Sequence, residues 1–111
     1  MRRTAMRRTP PPKRSAEDGG DEAYLEFVRS LPCCACGKPG PSHAHHETGA
    51  GRGKGQKAPD NRTIPLCFQC HRDFHQVGGR FDGFTFESKR LWQEMEIERV
   101  QELRRQLEDA L

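Results

Sequence analysis

Two stretches decide how this chain folds: Cys33-Cys34-Ala35-Cys36-Gly37 and, separated from Cys36 by thirty residues, Cys67-Phe68-Gln69-Cys70-His71-Arg72-Asp73-Phe74-His75. Each opens with a CxxC unit, and such a turn presents two thiolates to one ion at about 2.3 Å from each sulfur. Two turns of this kind complete a tetrahedral shell with no open position, so Cys33, Cys36, Cys67 and Cys70 read as a closed structural zinc site. Gly37 suits the positive φ that a knuckle turn often requires. Cys34, inside the first pair, is left as the odd thiol. Cys67-x-x-Cys70-His71 also matches the haem-attachment pattern, but that chemistry ordinarily accompanies export and leaves the upstream pair without a purpose.

Zinc also answers the composition. Leu, Ile, Val and Phe together make 18 of 111 residues, under the roughly 20% below which strongly charged chains tend to be disordered. The chain holds five Cys and five His instead. Zinc binding contributes roughly 10 to 16 kcal/mol in small zinc modules at neutral pH, as much as the whole stability of a small domain. No stretch approaches the ~18 apolar residues of a membrane span, and no apolar segment follows the N-terminal arginines. The expectation is a cytoplasmic protein without membrane contact, in whose reducing surroundings clustered cysteines bind metal rather than pair.

Outward from the cysteines, three segments separate. Residues 1–20 begin with a near-repeat, Met-Arg-Arg-Thr-Ala and Met-Arg-Arg-Thr-Pro, and read as a disordered basic tail. The first fourteen residues hold six of the nineteen bases and no acid, so the net charge of +3 resides there. Residues 21–86 form the metal-bearing domain. It opens with a helix in which Tyr24, Phe27, Val28 and Leu31 share a face, Asp21 is the N-cap and Pro32 the stop. Residues 87–111 form a C-terminal helix, with Ser88 as its N-cap and Leu91, Trp92, Met95, Val100, Leu103 and Leu107 as an imperfect stripe packing on its own domain. Its acids (Glu94, Glu96, Glu98, Glu102, Glu108, Asp109) outnumber Arg99, Arg104 and Arg105, so it is not expected to lie along DNA. The fold class is α+β, a small zinc-stabilised domain with flanking helices.

The histidines suggest a second metal site. His71 and His75 are four apart, and positions i and i+4 project from one helix face. His45 and His46 are adjacent, and neighbours on an extended strand point to opposite sides, so one imidazole can complete the metal site while the other stays free to take a proton from water. Three imidazole ligands leave positions open, as a catalytic ion requires. His43 would share the face of His45 and is left outside the ligand set.

The order CxxC, His45-His46, a Gly-rich loop, Asn61, CxxC-His71 and then His75 resembles the HNH, or ββα-metal, nucleases over roughly residues 32–76. His45-His46 and His71-x-x-x-His75 look like the histidines of colicin-type DNases. Asn61 falls where the family's middle Asn stands, and the four cysteines match the zinc knuckles of other members. The colicin-type enzymes lack those cysteines, so the pattern combines two branches. The stretch from Ala44 to Ala58, followed by Thr63-Ile-Pro-Leu-Cys67, looks closest to phage-type proteins of the family, including recombination-associated ones. The resemblance implies a ββα-metal fold, with His45, His71 and His75 as ligands of one catalytic divalent cation (Mg2+, Mn2+, Ni2+ or Zn2+). His46 would be the general base, Asn61 would hold the loop bearing His46, and the products would end in 5′-phosphate and 3′-hydroxyl. It also implies phage or host recombination or packaging proteins as partners, in a bacterial host cell.

Between His46 and Asn61, residues 49–57 carry four glycines with Arg52, Lys54 and Lys57. Such a loop lets backbone approach a phosphate while the cations neutralise it, and it lacks the ending of a Walker motif. Residues 48–90 hold eight bases, Arg72 among them, against four acids. DNA is therefore the expected partner, held by Arg52, Lys54, Lys57 and Arg72 through its backbone, since no base-reading helix or aromatic stacking platform is evident. The competing expectation is a non-catalytic zinc-binding nucleic-acid module. Deleting residues 1–20 is expected to weaken DNA binding without abolishing cleavage. An unchanged salt dependence of affinity in the deletion would show that the tail is no tether.

Overall fold

The computed structural model describes residues 15–49, 58–76 and 78–111. Among them lie α1 (Glu22–Arg29), β1 (His43–His46), β2 (Thr63–Leu66), α2 (Phe68–Phe74) and α3 (Phe86–Asp109), a small α+β arrangement. The strands are antiparallel, with His43 opposite Leu66, His45 opposite Ile64 and His46 opposite Thr63. Only Cys67 separates β2 from α2, so the sheet passes straight into the helix. No helix among the described residues is long and apolar enough to cross a membrane.

All four residues of β2 are buried, because helices cover both faces of so narrow a sheet. Ile64 and Leu66 meet Val28 of α1, Phe74 of α2, and Ile97 and Val100 of α3 in one core cluster. Each fully buried aliphatic side chain there contributes about 1.5–3 kcal/mol. Pro65 has no N–H for the ladder, which an edge strand tolerates, and its carbonyl accepts the Cys34 N–H at 2.9 Å. That bond fastens the first cysteine turn to the sheet.

The helix ends follow local chemistry. Asp21 caps α1 by accepting the Tyr24 N–H at 3.1 Å, as its sequence predicts. For α3 the cap is Thr85, with Ser88 at the third helical position, the two bonding reciprocally as a capping box. Ser88 is therefore the partner of the cap rather than the cap. The expected stripe of α3 is corrected in the same way: Leu91, Met95 and Leu107 are exposed, and the buried line is Gln93, Ile97 and Val100. Spacings of four and three set that line, and Trp92 flanks it against Phe74 and Phe81. Farther along, the Arg104 guanidinium lies over the rings of Tyr24 and Phe27, at 5.7 and 5.2 Å from their centroids. The C-terminal helix thus packs on its own domain.

Residues 15–20, expected as part of a disordered tail, belong to the fold. Ala16–Asp18 form a 3-10 turn, and the Gly19 carbonyl accepts the Asp60 N–H at 2.7 Å. Residues 1–14 lie outside the described residues. A deletion that leaves the 3-10 turn and the Gly19–Asp60 contact in place ends at residue 14.

Four thiols organise the centre. The Sγ atoms of Cys33, Cys36, Cys67 and Cys70 lie within 4.8 Å of one another, and those of Cys36 and Cys67 are 3.8 Å apart. A tetrahedron with metal–sulfur bonds of about 2.3 Å has an edge of about 3.8 Å, so the donor set fits one ion such as zinc. Gly37, at φ +80° with open space around its α-carbon, is needed for its backbone; its N–H closes the knuckle on the Cys33 carbonyl at 2.8 Å. Cys67 is the N-cap of α2, its sulfur accepting the Cys70 N–H at 3.4 Å. Burial would raise the Cys33 thiol, but backbone N–H groups of Cys67, Cys36 and Ala35 outweigh it and bring Cys33 down to about 7. Burial and the other three thiols push Cys70 up. Four such groups ionise together only around a cation. Removing the ion with a strong chelator, or the change Cys70→Ser, is expected to unfold the domain. Unaltered circular dichroism after both treatments would show that the cluster does not hold the fold.

Candidate metal centre

Beside the thiols, the sheet and α2 build a second donor set. His45 comes from the middle of β1, His71 from α2, and His75 caps the C-terminus of α2. Ring centroids are 5.1 Å apart for His45–His71, 5.1 Å for His45–His75 and 5.2 Å for His71–His75. One nitrogen from each lies within 4.8 Å of the others. The spacing of four that predicted a shared face for His71 and His75 is realised, with His75 one residue past the helix end. Their positions follow from the thiol cluster, since Cys67 and Cys70 anchor the first turn of the helix that ends in this site.

Burial keeps these rings neutral. His45 is 2% exposed, and desolvation pushes it down to about 3, against its hydrogen bond to Gln93, which raises it. Desolvation first, then neighbouring cationic charge, lowers His71 and His75 as well. A neutral imidazole is the form that ligates a metal.

Gln93 settles which nitrogen of His45 is free. The Thr48 N–H donates to Gln93 Oε1 at 2.9 Å and Gln93 Nε2 donates to the Thr48 carbonyl at 2.8 Å. Those two bonds orient the amide, so the atom 2.9 Å from His45 Nε2 is an acceptor. His45 therefore carries its proton on Nε2 and offers Nδ1 as a lone pair. The same pattern recurs one residue on. His46 Nε2 donates to Asp60 Oδ1 at 2.8 Å, and Asp60 Oδ2 accepts the Asp21 N–H at 2.9 Å. A carboxylate only accepts, so His46 also holds its proton on Nε2 and presents Nδ1. The expectation of an unpartnered His46 is corrected to an imidazole held at one nitrogen.

Asn61 lies exposed on the turn before β2, its carbonyl accepting from Gln101 Nε2 at 2.7 Å; the side chain from this turn that reaches His46 belongs to Asp60. The loop bearing His46 is tied to the turn by the Glu47 N–H on the Arg62 carbonyl at 3.0 Å and by paired bonds from Arg62 Nε and NH2 to Glu47, at 2.7 and 3.0 Å. Arg62 also pairs with Glu94 of α3. Arg72 is exposed beside the site, 5.8 Å from the Phe68 ring centroid. His43 joins the cluster from outside the donor set, its Nδ1 lying 3.0 Å from that of His71. Arg52, Lys54 and Lys57 lie outside the described residues.

Sequence reasoning missed Gln93 and Asp60. A glutamine on the line of Ile97 and Val100 was the available signal for the first, since a polar residue in an apolar stripe must find partners. Asp60 had no comparable mark beyond its place next to Asn61.

No solved structure matches the chain. A curated relative described as "Uncharacterized protein YdfU", from Escherichia coli (strain K12), is 38% identical over 69 residues; these are 61% of this chain and 18% of the relative's length. The conclusion about kinship comes from the match over residues 5–102: the chain belongs to the family described as "Protein of unknown function (DUF968)".

Proposed function

We propose that this protein is a metal-dependent endonuclease of the HNH, ββα-metal kind that hydrolyses DNA phosphodiester bonds. The observation that carries the reading is the junction of β1 with α2, where the three imidazoles of His45, His71 and His75 face one another and the next residue after His45, His46, is held by Asp60 at Nε2. The cysteine cluster, on this reading, holds zinc in a closed and purely structural role. His45, His71 and His75 would hold the catalytic divalent cation, whose chemistry is to stabilise charge on the phosphoryl oxygens and the departing 3′-oxygen.

The chain's own residues divide the remaining work. His46 Nδ1 takes the proton of the attacking water, and Asp60 holds the ring and stabilises the imidazolium that results. Gln93 keeps His45 in the tautomer that leaves Nδ1 for the metal. Arg72 neutralises backbone phosphate beside the site, with Arg52, Lys54 and Lys57 assigned the same task from the sequence. The resemblance assigns Asn61 to hold the loop bearing His46, but Asn61 is exposed and Asp60 beside it supplies the contact to His46.

Supercoiled plasmid incubated with the purified protein and Mg2+, Mn2+, Ni2+ or Zn2+ tests the reading. Metal-dependent nicking or linearisation is expected, falling by about 10²–10⁴-fold in a folded His46→Ala variant. Protein that binds plasmid yet is inert with every cation would favour a binding module instead. Asp60→Asn has one amide oxygen to share between the Asp21 N–H and His46, so its NH2 group can face His46 and drive the proton to Nδ1. A loss on the order of a hundredfold is expected, and an unchanged rate would remove Asp60 from the mechanism. Gln93→Ala is expected to weaken binding of the second metal equivalent by about 10- to 100-fold, read by titration calorimetry on protein whose thiol site is already filled.

A further inference from the structure

Two grooves run into the histidine cluster from opposite ends of α2, and His75 borders both. The first, of about 180 Å³, is lined by His43, Phe68, His71, Arg72 and His75. The second, of about 290 Å³, lies between Thr48, His75 and the first turn of α3, where Phe86, Lys89 and Arg90 line it. Each groove contains a large aromatic ring left in water: Phe68 is 65% exposed and Phe86 is 72% exposed. Both rings belong to the first residue of a helix whose cap is fixed, Cys67 for α2 and Thr85 for α3, so their backbones are rigidly placed.

The surroundings of the two rings are cationic. Arg72 lies over the Phe68 ring at 5.8 Å. Lys89 donates to the Phe74 carbonyl at 2.6 Å and forms part of the second groove's wall. Arg90 pairs with Glu87 at 3.1 Å on the exposed surface, a contact worth little in water and easily exchanged for a phosphate. Gly49, at φ +76°, admits the Phe86 ring, which would lie 3.2 Å from an added β-carbon. The acidic excess noted for α3 thus begins only after its first turn.

We infer that the two grooves form one track for an unpaired DNA strand, with bases stacking on Phe68 and Phe86 on either side of the phosphate that sits at the imidazoles. Stacked bases in a duplex have no free face to offer a protein ring, whereas an unpaired strand offers one at every nucleotide. A ring beside an arginine serves both parts of a nucleotide, the base by stacking and the phosphate by charge. The aromatic platform that the sequence did not reveal is therefore present, divided between two helix starts. The inference deepens the endonuclease reading by naming its substrate class, and it rests on that reading in placing a phosphodiester at His45, His71 and His75.

Fluorescence anisotropy of the full, zinc-loaded chain tests it, using a labelled single strand of about twenty nucleotides and the same strand in a duplex. Phe68→Ala and Phe86→Ala are each expected to lower single-strand affinity about tenfold, or about 1.4 kcal/mol, while duplex affinity stays within about twofold. Phe68→Trp, which restores a stacking face, is expected to keep wild-type affinity, and circular dichroism confirms that each variant is folded. Equal losses on both substrates, no loss on either, or no single-strand binding by the wild type would each overturn the inference. A selective loss in a protein that cuts no plasmid would sustain the track and defeat only the endonuclease reading. Plasmid cleavage together with unchanged single-strand affinity in both alanine variants would do the reverse.

Discussion

Everything in this domain depends on four sulfur atoms meeting at one point. Cys33 and Cys36 lie on a turn that Cys34 fastens to β2 through Pro65, while Cys67 and Cys70 are the cap and first turn of α2. The cluster joins parts that apolar contact would hold weakly, because α2 has seven residues and a helix that short is unstable by itself. An ion held among the thiols would fix where the helix starts and how it is rotated. Since His71 and His75 follow Cys70 at set intervals, it would also fix where their imidazoles lie.

The histidine site shows how a small core still orients buried polar side chains. His45 and Gln93 are fully buried neighbours, one from β1 and one from α3, and neither would be tolerated inside without the other. Their bond exchanges two desolvation costs for one oriented imidazole. Asp60 works similarly: it accepts from His46 and from the Asp21 N–H, and its own N–H donates to Gly19. The turn before β2, the start of α1 and the strand bearing His46 are thus tied to a single carboxylate. These two side chains both tie elements together and orient the imidazoles of His45 and His46.

The metal-ligand pattern was legible because it is local. CxxC turns and a His pair four apart are geometries of three or four residues, and short-range backbone geometry suffices to bring such donors together. The α1 helix and its Asp21 cap were legible for the same reason. The start of α3 was read late, because Ser88 looks like a cap unless Thr85 is seen to bond back to it. Its stripe was misread because Leu91 and Met95 are apolar yet face water, whereas Gln93 is polar yet faces the core. Hydropathy alone ranks those three residues in the wrong order.

By itself the sequence determined the two donor sets, the helices that flank them and the shortage of apolar residues that a metal ion would offset. These follow from residue type and spacing along the chain. Only the tertiary structure decided that Gln93 and Asp60 set the tautomers of His45 and His46, that His43 meets His71, and that Phe68 and Phe86 stand open on either side of the cluster. Tautomer and exposure depend on what packs against a side chain in space. His45 and Gln93, for example, lie 48 residues apart in the chain, beyond the reach of any local pattern.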